Sequence, residues 1–174
     1  MGAPRKIHYR KRLRLQGRNY GQEGYYFVTF ATRHLEHIFG QVKNGELILN
    51  EFGRIAQEEW LRAARVRKHI ELDAFVIMPN HIHGLIFISC TSRKPKKSGA
   101  RSGSIGAIIG QFKSLVSKRV NEIRKTPGAA LWHRGFYERV IRNEKELDRI
   151  RRYIQNNPKK WSEDRLNKNP LKTE

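Results

Sequence analysis

Apolar and polar positions alternate along this chain with two different periods, and the switches between them mark out its elements. Gly24 to Thr32 (Tyr25, Tyr26, Phe27, Val28, Thr29, Phe30) is aromatic and β-branched and predicts a first strand. Phe39 to Val42 and Leu47 to Leu49 flank Lys43-Asn44-Gly45-Glu46, the signature of a hairpin turning on Asn-Gly. The period then lengthens. Phe52, Ile55, Ala56, Trp60, Ala63 and Ala64 recur at helical spacing, behind Asn50 as N-cap and Glu51 in the first turn. Ile70 to Ile77 and His81 to Ile88 return to strand-like runs, broken at Met78-Pro79-Asn80. Ser104 to Lys125 sets Ile105, Ile108, Ile109, Phe112, Leu115, Val116, Val120 and Ile123 on one helical face, and Thr126-Pro127-Gly128 ends it. Phe136 to Ile141 is a short strand. Asn143 caps a last helix through about Asn157, with Leu147, Ile150 and Ile154 as its apolar stripe and Pro158 as its stop.

With the hairpin set aside, the order is β-α-β-β-α-β with a helix appended. This predicts an α+β fold of the ferredoxin-like, split-βαβ kind: an antiparallel sheet with helices on one face and an added C-terminal helix. Two histidines interrupt the apolar pattern. On a strand, residues i and i+2 share a face, so His81 and His83 project side by side while Ile82 enters the opposite layer. Adjacent neutral imidazoles make half a metal site, although an isolated His-x-His is more often structural. On the last helix, Tyr153 and Asn157 stand one turn apart on the flank of the apolar stripe, close in sequence to Arg149, Arg151 and Arg152. A tyrosine so placed can attack a phosphodiester once a cation polarises the phosphate, and the Asn157 amide can offer a third ligand. The plainer readings are a packing tyrosine and an Asn-Pro helix end. His8, His34, His37, His69 and His133 lack partners at ligand spacing, and Glu58 and Glu59 read as a solvated helix face.

Charge adds a partner to this picture. The 174 residues hold 36 Lys+Arg against 16 Asp+Glu, a net charge of +20, which calls for a polyanion, nucleic acid first. No apolar run reaches membrane-spanning length, and the basic start is not followed by the apolar segment of a signal peptide. The single cysteine, Cys90, excludes an internal disulfide and a Cys-based zinc ribbon and fits a reducing compartment, so a cytoplasmic, nucleoid-associated location is expected. Residues 1–20 carry seven basic residues and no acid and read as an arm. There Arg5, Lys6, Arg10, Lys11, Arg12, Arg14 and Arg18 are expected to clamp a nucleic-acid backbone, as are Arg149 and Arg152. Residues 21–161 form the domain, with a basic linker over 89–103 inside it, and 162–174 read as a polar tail.

Pro79-Asn80-His81-Ile82-His83, followed by Arg152-Tyr153-Ile154-Gln155-Asn156-Asn157-Pro158, resembles the IS200-like, single-tyrosine HUH transposases, and most of all the REP-associated tyrosine transposases. Tyr26-Phe27-Val28-Thr29, Ile105-Gly106-Ala107-Ile108-Ile109-Gly110-Gln111-Phe112-Lys113-Ser114 and Leu131-Trp132-His133-Arg134-Gly135-Phe136-Tyr137-Glu138 fit the same pattern, so the resemblance spans roughly residues 20 to 161. It implies that His81, His83 and Asn157 hold Mg²⁺ or Mn²⁺. It also implies that Tyr153 attacks single-stranded DNA at REP-like hairpins, becomes linked to the 5′ phosphate and leaves a free 3′-OH. Mobile relatives tend to carry Gln where this chain has Asn157. Imidazole ligands favour Mn²⁺ over Mg²⁺ on chemical grounds. A monomer is expected, with a dimer as the alternative. The competing function is a non-catalytic DNA-hairpin-binding regulator. An RNA-binding ferredoxin-like domain ranks third, because such domains stack bases on sheet aromatics whereas this sheet presents histidines.

Overall fold

The computed structural model describes residues 23–89 and 103–167. The basic arm from Arg5 to Arg18, nearly all of the 89–103 linker and the last residues of the tail lie outside the described residues. The elements are β1 (Gly24–Ala31), β2 (Gly40–Lys43), β3 (Glu46–Leu49), α1 (Glu51–Arg65), β4 (Ile70–Ile77), β5 (His81–Ile88), α2 (Ile105–Arg124), β6 (Tyr137–Val140) and α3 (Glu144–Asn156). Four strands form one sheet in the order β4-β5-β1-β6, every neighbour antiparallel, and β2 and β3 form a separate hairpin. Once that hairpin is removed, this is the split-βαβ arrangement that the apolar pattern predicts.

Local chemistry explains the boundaries. The hairpin turns through Asn44 and Gly45, both at positive φ (53° and 77°), as a two-residue turn matched to strand twist requires. The side chains of Asn50, Ser104 and Asn143 accept from the backbone N–H three residues on, capping α1, α2 and α3. Helix α2 ends at Lys125, in the left-handed conformation, one residue before the Thr126-Pro127-Gly128 stop. Beyond Val120 its apolar face runs out: Asn121 is buried, donating to the Ala129 carbonyl, while Ile123 is exposed rather than part of the core.

Strand alternation sorts the core into two layers. Tyr26, Val28 and Phe30 of β1 with Ile82, Ile86 and Ile88 of β5 meet α1 and α2. Phe27 of β1 and Leu85 of β5 meet Leu147, Ile150 and Ile154 of α3 on the other face. Gly84 is the tight point of the first layer, since a Cβ there would lie 2.3 Å from the Trp60 ring. Pairing of β4 with β5 slips between Leu72 and Phe75, so Leu72 and Phe75 face the same layer. The bulge leaves Asp73 facing α3, where Arg151 binds its carboxylate through both Nε and Nη2. Glu59 is buried, held by Arg119 and Arg62 between α1 and α2, so it is not part of a solvated face.

Candidate active site

β5 begins immediately after the Pro79-Asn80 corner, and that corner sets the first imidazole. The Asn80 amide nitrogen donates to the Leu35 and Leu166 carbonyls (3.1 and 2.7 Å), which fixes its oxygen as the acceptor for His81 Nδ1 at 2.8 Å. His81 therefore carries its proton on Nδ1 and leaves Nε2 as a bare lone pair. His83 is held by Thr29 of the neighbouring strand, with Oγ1 2.7 Å from Nδ1, and the Phe27 ring stacks on it. The two Nε2 atoms lie 3.1 Å apart. Burial pushes the His81 imidazole down to about 3, with the Asn157 amide opposing the shift and His37 adding to it. Burial also pushes His83 down to about 3, reinforced by His81 and opposed by Asp164. Both rings are thus neutral at physiological pH, the form that ligates a cation.

The last helix brings Tyr153 to the same point. Its hydroxyl lies 3.1 Å from His83 Nε2, while the ring is 45% exposed, so the oxygen reaches the histidines and stays open to a large substrate. Burial raises its pKa, Asp164 raises it further, and the Asn157 amide pulls it back. Asn157 itself is buried. Its amide nitrogen donates to Asp164 Oδ2 at 3.1 Å, whereas its oxygen makes no hydrogen bond among the described residues.

One member of the cluster has no signal in the local sequence pattern. Asp164 lies in the stretch that reads as polar tail, yet Pro158 opens a 3₁₀ segment (Pro158–Glu163) that turns the chain back over the histidines. Asp164 Oδ2 sits 3.9 Å from His81 Nε2, and the ligand atoms of His81, His83 and Asp164 all lie within 4.8 Å of one another. Trp161 covers the His81 ring at 5.9 Å between centroids and stacks beside His37, an exposed histidine at the rim. Nothing near residue 164 marks the acid as special; its position depends on a contact made some eighty residues away. Thr29 and Asn80 are likewise positioning groups that their own neighbourhoods do not reveal.

These donors fit a divalent cation. Two lone pairs 3.1 Å apart can share one ion whose bonds to nitrogen run about 2.1 Å, and a carboxylate and an unpaired amide oxygen stand beside them. Mixed nitrogen and oxygen donors suit Mn²⁺ well and Mg²⁺ less well.

The flanking arginines separate into two kinds. Arg151 is committed to Asp73 and Asp148. Arg149 is exposed, 3.9 Å from Glu146, and Arg152 is exposed, donating weakly to the Asp148 carbonyl. The structure thus brings Tyr153, His81, His83 and Asn157 together and sets Arg149 on the same flank as Tyr153, one turn away.

A family model described as "Transposase IS200 like" matches residues 30–157, which includes both histidines, the tyrosine and the asparagine. The chain belongs to the IS200-like transposases. This transposase is 35% identical over 173 residues to an uncharacterized protein of Haemophilus influenzae, covering 92% of this chain and 94% of that one. Its fold is shared with a solved REP-associated tyrosine transposase bound to a REP hairpin, at a TM-score of 0.59 and 20% identity over 83% of this chain and 72% of that one. A putative transposase from Deinococcus radiodurans R1 aligns with a TM-score of 0.45 and 19% identity over 82% of this chain and 96% of that one. Membership makes the IS200-like chain a DNA-processing enzyme. Among its described residues, no helix is long and apolar enough to cross a membrane.

Proposed function

We propose that this transposase cleaves and rejoins single-stranded DNA through a covalent bond to Tyr153, at hairpins of the REP type. The observation that carries the proposal is the convergence of the Tyr153 hydroxyl and the His81 lone pair on His83 Nε2, each 3.1 Å away. His81 and His83 hold Mn²⁺ or Mg²⁺, with Asn157 as third ligand and Asp164 as a carboxylate within reach. The cation, when bound, polarises the scissile phosphate and makes it a better electrophile. The phenol oxygen of Tyr153 attacks phosphorus, the bond to the 3′ oxygen breaks, and the phenol proton ends on that oxygen. A 5′-phosphotyrosine and a free 3′-OH result, and attack by a 3′-OH reverses the step without loss of bond energy. Asn80 keeps His81 Nδ1 protonated and its Nε2 free, and Thr29 anchors His83 through Nδ1 so that its Nε2 faces the same point. The excess positive charge, the basic arm, Arg149 and Arg152 hold the DNA backbone. The enzyme acts as a monomer in the cytoplasm, at the nucleoid.

The test is incubation of the full chain with single-stranded REP-like hairpins and Mn²⁺, followed by denaturing electrophoresis. A covalent protein–DNA adduct is expected in wild type and none in Tyr153→Phe. Absence of adduct across several such substrates refutes catalysis and leaves a hairpin-binding regulator, whose binding would ignore EDTA and His81→Ala. Cleavage with Mg²⁺ but none with Mn²⁺ would overturn the reading of the donor set.

A further inference from the structure

One row of side chains crosses the sheet on the α3 face. Thr29 pairs with His83 of β5 on one side and with Tyr137 of β6 on the other, so Tyr137 stands two strands from the imidazole that the Thr29 hydroxyl holds. Helix α3 packs over β4 and β5, and among the described residues β6 is an edge strand beside it. Tyr137 is 52% exposed there. The buried Phe27 ring bridges it to the nucleophile, edge-on to Tyr137 at 6.3 Å and to Tyr153 at 6.1 Å.

The next row carries charge. Arg139, opposite Phe27, forms an ion pair with Glu146 of α3, and Arg149 lies 3.9 Å from the same carboxylate. Both guanidiniums are about half exposed or more, so one buried acid anchors two cations without neutralising them. The segment leading into β6 is held by Lys113, whose ammonium donates to the His133 and Gly135 carbonyls at 3.1 and 2.6 Å. An exposed aromatic face between two arginines that share one carboxylate, one on β6 and one on α3, is the chemistry of a base-stacking platform.

We infer that the trough between β6 and α3 seats single-stranded DNA beside Tyr153, with Tyr137 stacking on a nucleobase and Arg139 and Arg149 holding the adjoining phosphates. The choice of DNA as occupant rests on the strand-transfer reading above. Tyr137 positions the strand and takes no part in bond making.

The experiment uses the full chain carrying Tyr153→Phe, so that bound DNA is not cut, with single-stranded oligonucleotides bearing 2-aminopurine at successive positions. Stacking is expected to quench the probe at one or two positions. Tyr137→Leu is expected to remove that quench and weaken binding roughly tenfold, whereas Tyr137→Phe, which keeps the ring, retains both. In the cleavage-competent chain, Tyr137→Leu raises KM while kcat stays within about twofold. An unchanged quench in Tyr137→Leu, or no binding of any single strand at low salt, overturns the inference. An adduct formed by Tyr137→Leu at wild-type KM sinks the trough and spares the strand-transfer reading. No adduct in wild type, with the Tyr137-dependent quench intact, sinks the strand-transfer reading and supports the trough.

Discussion

β5 presents Ile82, Gly84, Ile86 and Ile88 to α1 and α2 and His81, His83 and Leu85 to α3, and the two faces solve opposite problems. The first is a dry, interlocked layer in which Trp60 lies so close to Gly84 that no side chain fits between them. The second buries two imidazoles and an amide beside a half-exposed phenol, and their polar atoms are held by specific partners or face the cluster. Burial that would ordinarily count against polar groups keeps the histidines neutral. One strand thus serves as structural core on one side and displays the paired histidines on the other, because its side chains alternate.

The comparison breaks most sharply if Tyr153, the proposed nucleophile, also matters for folding. Tyr153→Phe is expected to lower strand transfer by roughly a thousandfold or more. Its melting temperature should stay within about two degrees of wild type, because only a half-exposed hydroxyl is lost. A large fall in melting temperature would make Tyr153 a packing residue. Gly84→Ala probes the opposite face. The new methyl meets the Trp60 ring, and a loss of about 1–3 kcal/mol in urea unfolding is expected. Adduct formation per folded molecule should persist, and its disappearance would show that the two faces are mechanically coupled through β5.

A smaller effect follows from the buried imidazoles. Their folded pKa values, pushed from 6.5 to about 3, mean that the unfolded chain binds more protons between those limits. The contribution of the neutral, buried imidazoles to stability is therefore fully present above about pH 6.5 and is lost as pH falls towards 3. Denaturant midpoints measured across that window should shift less in His83→Gln; an equal slope in that variant would place the titration elsewhere. Smallest of all is the clamp on the outer side of α3. Arg151 holds the Asp73 carboxyl below its ordinary range by a direct hydrogen bond, so its contribution is present above about pH 4 and lost on acidification. Asp73→Ala should cost about 1 kcal/mol or less in equilibrium unfolding, because the pair is partly exposed. A greater loss, accompanied by slower strand transfer, would show that the bulge in β4 positions the tyrosine helix.

Much of this was legible along the chain. The limits of β4 and β5, the turn on Asn44-Gly45 and the caps at Asn50 and Asn143 depend on residues within a few positions, and local pattern reports such things faithfully. Ile123 and Glu59 depart from the helical pattern for the converse reason. A helical face says which residues line up, but not where the sheet beneath it ends or which arginine a neighbouring helix brings.

For the site, local periodicity was sufficient to put His81 and His83 on one side of a strand and Tyr153 and Asn157 on one flank of a helix. Only the tertiary structure decided that these two pairs meet, that Asn80 sets the His81 tautomer while Thr29 anchors His83, and that Asp164 returns from beyond the last helix to the facing Nε2 atoms. The division has one physical cause. Periodicity is set by backbone geometry over a few residues, whereas a converging cluster is set by packing between segments that no local rule connects.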